Sequence, residues 1–287
     1  MWRPTGRTRV VGLFGHPVEH SCSPDMHNAA FAKLGLDYCY VPFDVPPQRL
    51  SLAVEAIRAL NMVGVNVTIP HKEAVVPYLN EVRGVAALLR AVNTIVNEDG
   101  KLVGYNTDVE GFLRAVEGAG VRLKGKKVVI IGAGGAARAV ALAVVSKRPS
   151  SIVILNRTVR RAEEVAALVR KASELEAVAE PLDEIALKKY IPEADVVVNC
   201  TPLGMEPEWA DQTPVPKELI RPGQVVCDLV YRPRWTRLLR EAKERGAKVV
   251  DGIGMLVHQG AASFELFTGR EAPVETMRRV VIAALTK

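Results

Sequence analysis

The segment Lys127–Arg138 limits the fold of this chain more than any other stretch. An apolar run, 128–131, leads into a turn at 132–137 that matches the pattern G-x-G-x-x-A. Strand, glycine turn and alanine-rich helix begin a parallel β-α-β unit, in which backbone N–H groups at the helix N-terminus approach a pyrophosphate. The alternative is a tightly packed glycine turn that binds nothing. We predict a dinucleotide site with four candidate residues in this turn: Gly132, Gly134, Gly135 and Ala136.

The chain from residue 126 onward is typical of a parallel doubly wound sheet. Apolar strand-like runs alternate there with helical patterns, as in the nucleotide-binding Rossmann folds. The predicted strands are Lys127–Ile131, Ser151–Leu155, Val196–Cys200, Gln224–Val230 and Ala247–Val250.

The end of the second of these strands bears on the choice of cofactor. An NAD site usually places an acid about 20 residues after the glycine turn, where it accepts from the ribose hydroxyls. Here the strand ends in Asn156, Arg157 and Thr158, and two further arginines, Arg160 and Arg161, follow. Guanidinium groups favour a 2′-phosphate, so we predict NADP(H) as the cofactor. One of Arg160 and Arg161 is expected to be a charge on the helix surface instead.

The first hundred residues predict a second α/β domain with a mixed sheet. A helix is expected from Ser23, as hydroxyl N-cap, to about Leu34, and another over Gln48–Leu60. A hairpin is expected around residues 98–100. The predicted strands are Val10–Phe14, Tyr38–Val45 as an edge, Asn66–Ile69, Ala91–Val96 and Leu102–Tyr105.

The fold class is therefore α/β with two domains. We expect an N-terminal α/β domain with a mixed sheet over residues 1–108. A Rossmann-type dinucleotide-binding domain follows over 109–253. The helical segment 254–287 carries no further strand pattern, and we expect it to pack back on the first domain and complete it.

Lys72 and Asp108 are the candidate catalytic residues. In the predicted strand 66–69, Val67 and Ile69 form an apolar face and alternate with polar Asn66 and Thr68. Pairing should end at Pro70, which leaves Lys72 at a strand exit, where open α/β sheets place ligands. Asp108 follows another predicted strand in the same way. A lysine and a carboxylate at two strand exits suit proton transfer; the alternative is a pair of surface charges.

Composition excludes several classes of partner. The 287 residues carry 38 Lys and Arg against 32 Asp and Glu, a net charge of +6, but the basic residues are scattered. We therefore expect no nucleic-acid partner, and an anionic small molecule explains the charge equally well. No apolar stretch predicts a signal peptide or a membrane span, and a cytoplasmic location is expected. The cysteines show no metal-ligand spacing, so we expect no metal site. We expect all four to be reduced thiols: Cys22, Cys39, Cys200 and Cys227.

Several motifs along nearly the whole chain together resemble those of shikimate dehydrogenases. The first half contributes Gly15–Pro24 with His27 and Asn28, Asn66–Lys72, Ala91–Thr94 and Asn106–Asp108. The second half contributes Gly132–Ala137, Asn156–Thr158, Asn199–Met205, Asp228–Tyr231 and Asp251–Ala261. Three histidines within these motifs, His16, His20 and His71, are interpreted as surface groups.

The resemblance implies an activity and a set of site residues. The family reduces 3-dehydroshikimate to shikimate with NADPH, in aromatic amino acid biosynthesis. Substrate-binding positions would be Ser21, Ser23, Thr68, Asn93, Tyr231 and Gln259, with Lys72 and Asp108 at the reacting centre. Asn156, Arg157, Thr158 and Arg161 would hold the 2′-phosphate side of NADP(H). Thr201, Gly252 and Met255 would line the nicotinamide end. Ser23 has the alternative role of a helix cap, and Thr68 that of a plain strand residue.

Two other functions stay open at this point. One is a close relative that also uses quinate or NAD, and the other is a non-catalytic dinucleotide or metabolite sensor. The presence of both Lys72 and Asp108 disfavours the sensor. Which of the two carries the transferred proton is left open, because such a pair can titrate as a unit. A homodimer is one option for the oligomeric state.

Overall fold

The structure is a computed structural model, and it describes residues 4–286. Residues 1–3 and 287, which the predicted domain boundaries include, lie outside the described part. The described chain divides into two compact units, one of residues up to 107 together with those from 257 onward, the other of residues 108–256.

The first unit contains six strands within the described residues, and they form one mixed sheet of order β2-β1-β3-β5-β6-β4. The strands are β1 (Arg9–Gly15), β2 (Tyr38–Asp44), β3 (Gly64–Val67), β4 (Glu81–Val82), β5 (Thr94–Glu98) and β6 (Lys101–Tyr105). Its N-terminal segment has four helices: α1 (Ser23–Lys33), α2 (Leu50–Ala59), α3 (His71–Ala74) and α4 (Val85–Leu89).

Apolar side chains cover both faces of this sheet. On one face, Val54 and Ile57 of α2 are fully buried against strand residues such as Val65 and Ile95. On the other, Phe31 of α1 stacks on Phe264, with ring centroids 5.2 Å apart. Pairing of β1 with β2 and β3 is parallel, whereas β5 is antiparallel to β3 and β6. The mixed sheet, the edge position of β2 and the hairpin, which turns through Asp99 and Gly100 at positive φ, are confirmed.

The second unit contains six parallel strands within residues 108–256, in the order β12-β11-β10-β7-β8-β9. The strands are β7 (Lys127–Ile131), β8 (Ser151–Asn156), β9 (Ala177–Pro181), β10 (Val196–Asn199), β11 (Val225–Asp228) and β12 (Lys248–Val250). Five helices lie between or before them: α5 (Asp108–Gly118), α6 (Gly135–Ser146), α7 (Val159–Ala172), α8 (Glu184–Tyr190) and α9 (Arg237–Glu244). The predicted parallel doubly wound sheet is confirmed, although β9 was missed.

Two helices end the chain, α10 (Gly252–Thr268) and α11 (Val274–Leu285). The unit boundary falls within α10, after Leu256. In the first unit α11 packs against α1. Within residues 4–286, no helix is long and apolar enough to cross a membrane, and all four cysteines are free thiols.

Two local predictions for the first unit were wrong. The strand expected over 66–69 ends at Val67; Asn66 is buried, whereas Ile69 is 74% exposed. Asn66 is buried because its amide has polar partners inside the unit, which a two-face alternation does not anticipate. Helix α1 has Cys22 as its N-cap and no side-chain capping bond, so Ser23 is a helical residue rather than the cap.

Candidate active site

Lys72 lies in the short helix α3, whose backbone is fixed from two sides. The backbone N–H of His71 donates to the Thr68 carbonyl at 2.9 Å, and the Lys72 carbonyl accepts from Val92 N–H at 2.8 Å. The buried His71 ring contacts the Val45 carbonyl oxygen at 2.6 Å through Nε2. A carbonyl can only accept, so Nε2 carries the proton. These bonds hold the start of α3, and with it the Cα of Lys72, against the end of the sheet.

The interpretation of His71 as a surface group was wrong. Its side chain is 1% exposed because it anchors α3 to the residue that follows β2. His16 and His20 are exposed, as expected. His16 Nδ1 lies 2.7 Å from a carboxylate oxygen of Asp44.

The three small polar residues predicted to bind substrate near the end of β1 lie on two segments. A Cβ added to Gly15 would lie 2.3 Å from Thr68 Cγ2, so the Thr68 side chain covers the end of β1 directly. Ser21 lies in the loop after β1, and its Oγ accepts from the backbone N–H of Ser23 at 3.2 Å. Ser23 is the first residue of helix α1.

Asn93 and Gln259 belong to the same unit. Asn93 is 3% exposed, and its amide nitrogen donates to the Thr107 hydroxyl at 2.9 Å. Gln259 lies on α10, and its carbonyl accepts from the Ser263 hydroxyl at 3.0 Å. Both residues are thus connected to a buried group of hydroxyl side chains beneath the sheet end.

Asp108 is the first residue of α5 and the first residue of the second unit. It is 5% exposed. Its place in the first turn puts the carboxyl group near the N-terminal end of α5. Lys72 and Asp108 therefore come from different units, and Asp108 directly follows Thr107 of the first.

The glycine turn of the second unit fits a pyrophosphate. Gly132 has φ +107°, and an added Cβ would lie 3.1 Å from the backbone carbon of Cys200, so only glycine suits this position. Gly134 is the N-cap of α6 without a side-chain capping bond, and a Cβ at Gly134 or Gly135 would meet no atom within 4 Å. The first N–H groups of α6 therefore face open space, which suits an anion.

The residues after β8 are exposed and basic. The side chain of Asn156 donates to the Thr158 carbonyl at 2.9 Å and tightens the turn. Arg160 pairs with Glu164 at 3.6 Å along α7. Arg157 and Arg161 make no ion pair or side-chain hydrogen bond to any residue between 4 and 286. The guanidinium groups of Arg157 and Arg161 are therefore placed to bind a phosphate.

A buried carboxylate organises the loops that carry Thr201 and Tyr231. Asp228 accepts from Asn199 at 2.9 Å, from the Thr236 hydroxyl at 2.7 Å and from Val230 N–H at 3.0 Å. Burial raises the pKa of Asp228 to about 6, although these hydrogen bonds act in the opposite direction. Asn199 in turn accepts from the Thr201 hydroxyl at 2.7 Å.

Of the residues around the Asp228 carboxylate, the sequence motifs contained Asn199 and Asp228 but assigned them no role. Sequence analysis did not single out Thr236. Its only sequence signal was a hydroxyl residue placed to cap a helix; its side chain accepts from Leu239 N–H as the N-cap of α9.

Gly252 begins α10, where a Cβ would lie 2.6 Å from the carbonyl oxygens of Leu229 and Val230. Met255, one turn along, is buried.

A parallel doubly wound sheet, an open glycine turn and two arginines after β8 that make no ion pair with residues 4–286 define the class of dinucleotide-binding proteins. Comparison with known families makes this specific. Residues 13–95 match the shikimate dehydrogenase substrate binding domain, 115–205 the shikimate / quinate 5-dehydrogenase family and 252–282 the shikimate 5'-dehydrogenase C-terminal domain.

Comparisons with individual relatives and solved structures point to the same family. The shikimate dehydrogenase (NADP(+)) of Desulforamulus reducens is 50% identical over 287 residues, covering 99% of this chain and 98% of the relative. A crystal structure of a shikimate dehydrogenase in complex with NADP+ has a TM-score of 0.93 at 45% identity, covering 99% and 98% of the two chains. The Thermus thermophilus enzyme, in complex with NADP(H) and shikimate, has a TM-score of 0.87 at 40% identity, covering 97% and 100%. The chain belongs to the shikimate dehydrogenase family.

Proposed function

We propose that this chain catalyses the reversible, NADP-dependent reduction of 3-dehydroshikimate to shikimate, with Lys72 and Asp108 as its proton-transfer pair. The observation that carries the proposal is the anchoring of Lys72. Its backbone is fixed by Val92 N–H and by the neighbouring His71, while its side chain is only half-buried. A lysine on a fixed stretch of backbone suits a reaction in which a proton must reach a defined oxygen.

Ketone reduction needs a hydride on carbon and a proton on oxygen. NADPH, when bound, supplies the hydride. Lys72 donates the proton or stabilises the negative charge that develops on the carbonyl oxygen. Asp108, at the start of α5, is the proposed partner of Lys72 in this proton transfer. The proton belongs to the pair rather than to either residue alone.

Small polar side chains of the first unit would hold the substrate. Ser21 and Ser23 would bind its carboxylate, with Tyr231 of the second unit assisting, and Thr68, Asn93 and Gln259 would bind its hydroxyl groups. The similarity of residues 13–95 to a substrate-binding domain supports this division of roles. The predicted domain boundaries and the homodimer option stay predictions.

The cofactor would lie on the second unit. Gly132, Gly134, Gly135 and Ala136 would hold the pyrophosphate, and Asn156, Arg157, Thr158 and Arg161 the adenosine side with its 2′-phosphate. Thr201, Gly252 and Met255 would line the nicotinamide end. The open N-terminus of α6 supports this assignment, as do Arg157 and Arg161, which have no ion-pair partner in the described part of the chain.

Initial rates with purified protein test the proposal. Shikimate and quinate are each combined with NADP and NAD, and cofactor reduction is followed by absorbance. We expect activity with shikimate and NADP to exceed the other combinations at least tenfold. Comparable rates with quinate or NAD would favour the broader relative, and no rate with any pair would contradict an enzymatic role.

A further inference from the structure

Asp228 is a buried carboxylate without a cationic partner. It is the last residue of β11, is 1% exposed and forms no ion pair with any residue between 4 and 286. Two titratable side chains interact with it, the thiols of Cys200 and Cys227; burial raises the pKa of both, so they stay neutral. A buried charge is costly unless a charge of opposite sign compensates it. The described chain does not supply that compensating charge.

Charged side chains on the neighbouring elements are paired with each other. Arg234, in the loop after β11, contacts Asp251 at 2.8 Å, and Arg237 of α9 contacts Glu241 at 2.7 Å. The five histidines of the chain all belong to the first unit, so the second unit contains none. Burial raises the pKa of Asp228 to about 6, which leaves the group mostly ionised at neutral pH.

Hydrogen bonds favour the ionised form of this carboxylate. The N–H of Val230 and Nδ2 of Asn199 both donate to Oδ1, at 3.0 and 2.9 Å. The orientation of the Asn199 amide is fixed, because its oxygen accepts from the backbone N–H of Thr201 at 2.9 Å. Two N–H groups thus occupy Oδ1, so a proton can bind only at Oδ2, where the Thr236 hydroxyl lies 2.7 Å away.

Asp228 is close to both groups proposed for the nicotinamide end. Its partner Asn199 accepts from the Thr201 hydroxyl at 2.7 Å. Thr201 in turn lies against the glycine turn, since a Cβ added to Gly132 would be 3.2 Å from Thr201 Cγ2. On the other side, a Cβ added to Gly252 would lie 2.6 Å from the carbonyl oxygens of the two residues that follow Asp228. The uncompensated negative charge is therefore at the end of the second unit where the nicotinamide is proposed to bind.

The two oxidation states of the cofactor differ in charge at this end. The oxidised nicotinamide ring carries one positive charge, whereas the reduced ring is neutral. The phosphate groups are the same in both forms. A nearby negative charge in a protein interior attracts the oxidised ring and is almost without effect on the reduced one. Asp228 can therefore distinguish the two forms by their charge, without contact.

We propose that Asp228 is a specificity-determining residue that favours the oxidised over the reduced cofactor, because its carboxylate compensates the positive charge of the nicotinamide ring. The inference rests on the proposed function, since it takes Thr201 and Gly252 to line the nicotinamide end. Asp228 acts at a distance and is not a catalytic residue. Binding of NADP+ should favour the ionised carboxylate and so lower the pKa of Asp228, whereas NADPH lacks the positive charge that would do so.

Two aspartates of the second unit offer a matched pair of variants. Asp228→Asn keeps the shape of the side chain and removes its charge. Asp183→Asn removes a charge from the exposed residue that caps α8, after β9 at the other side of the sheet, and asparagine caps a helix as well as aspartate does. Circular dichroism checks that both variants fold.

The measurement is the Kd of NADP+ and of NADPH, by isothermal titration calorimetry of the wild type and both variants. We expect Asp228→Asn to weaken NADP+ binding about tenfold and to leave the Kd of NADPH within about twofold, because only the oxidised ring loses an attractive charge. Asp183→Asn should leave the ratio of the two Kd values unchanged. A purely structural role of Asp228 would weaken both cofactors equally, and that result would overturn the inference.

The wild type supplies a second measurement, which decides the question should Asp228→Asn not fold. As the pH falls through about 6, Asp228 takes up a proton and its preference for the oxidised ring is lost. The ratio of the Kd of NADP+ to that of NADPH should therefore rise about threefold between about pH 7.5 and 5.5. The 2′-phosphate also titrates in this range, but both cofactors carry it, so its effect cancels in the ratio.

Two failures can be told apart. A wild type that binds both cofactors at a ratio independent of pH would overturn the inference alone, and so would a folded Asp228→Asn variant with the wild-type ratio or with an equally strong pH dependence. A wild type that binds neither cofactor would overturn the proposed function and the inference together.

Discussion

The imidazole of His27 lies parallel to the phenol of Tyr40, with ring centroids 4.4 Å apart and an interplanar angle of 5°. Both side chains are buried in the first unit, and Nδ1 of His27 has no hydrogen-bond partner among residues 4–286. Burial lowers the pKa of His27 from 6.5 to about 3. A neutral imidazole therefore covers the ring of Tyr40, whose hydroxyl donates to Asn66 Oδ1 at 2.9 Å.

The titration of His27 gives the first prediction. Its folded pKa lies below its unfolded value, so its contribution to stability is complete above pH 6.5 and is lost as the pH falls towards 3. An NMR titration of the folded protein should show no protonation of His27 between pH 8 and about 5. In urea the same imidazole should titrate near its ordinary value. A folded-state midpoint near 6 would contradict the burial argument.

Replacement of Lys72 by alanine should affect turnover more than binding. Loss of a general acid or base usually lowers kcat by about 10²–10⁴. We expect this loss in Lys72→Ala, with a smaller change in KM for shikimate. Lys33→Ala is the control, since Lys33 is an exposed lysine at the end of α1. A Lys72→Ala enzyme within a few-fold of the wild type would remove this residue from the mechanism.

Arg157 and Arg160 should differ in their effect on cofactor choice. Arg157 has no ion pair within residues 4–286, whereas Arg160 pairs with Glu164. Arg157→Ala should raise KM for NADPH by roughly tenfold or more and leave KM for NADH nearly unchanged, because a charged hydrogen bond to the 2′-phosphate is lost. Arg160→Ala should change neither. Equal effects of Arg157→Ala on the two cofactors would mean that this guanidinium does not contact the phosphate.

Two glycines of the first unit should respond differently to alanine. A Cβ on Gly64 would lie 2.2 Å from the carbonyl oxygen of Ile95 on the neighbouring strand, which cannot move without breaking the sheet. Gly64→Ala should therefore destabilise the protein by about 3 kcal/mol or more. On Gly260, the Cβ would lie 2.2 Å from the terminal methyl of Met26, which can rotate away.

Gly260 also lies in the interior of α10, where alanine is favoured over glycine by about 1 kcal/mol. Gly260→Ala should therefore change stability by no more than about 1 kcal/mol in either direction. Urea unfolding followed by circular dichroism measures both variants. Similar losses at the two positions would show that Met26 is as rigid as the β5 backbone.

The sequence predicted most reliably the elements whose pattern is local. The strand, glycine turn and helix at 127–146 follow from backbone geometry alone, and the hairpin turn follows from Asp99 and Gly100, both at positive φ. The short strand β4, of two residues, was missed because so short a pairing depends on its neighbour β6 and leaves no period in the sequence.

The prediction failed where burial depends on distant partners. Asn66 and His71 are polar residues that a local pattern places at the surface. They are buried because Ser263, 197 positions away, and the Val45 carbonyl satisfy their hydrogen bonds. Thr236 escaped notice for the same reason, since its partner Asp228 lies on another element. The family motifs identified candidate site residues, but they did not reveal the polar side chains beneath them.

The division within α10 sets the order in which the two units become complete as the chain is synthesised. Residues 108–256 form the second unit as one continuous stretch of the chain. The first unit begins earlier but lacks α11 until the second unit has been synthesised, so the face of α1 that packs on α11 stays uncovered meanwhile. Domains of most multidomain proteins fold from the N-terminus onward; in this chain the middle of the sequence is complete as a unit before the unit that contains the N-terminal segment.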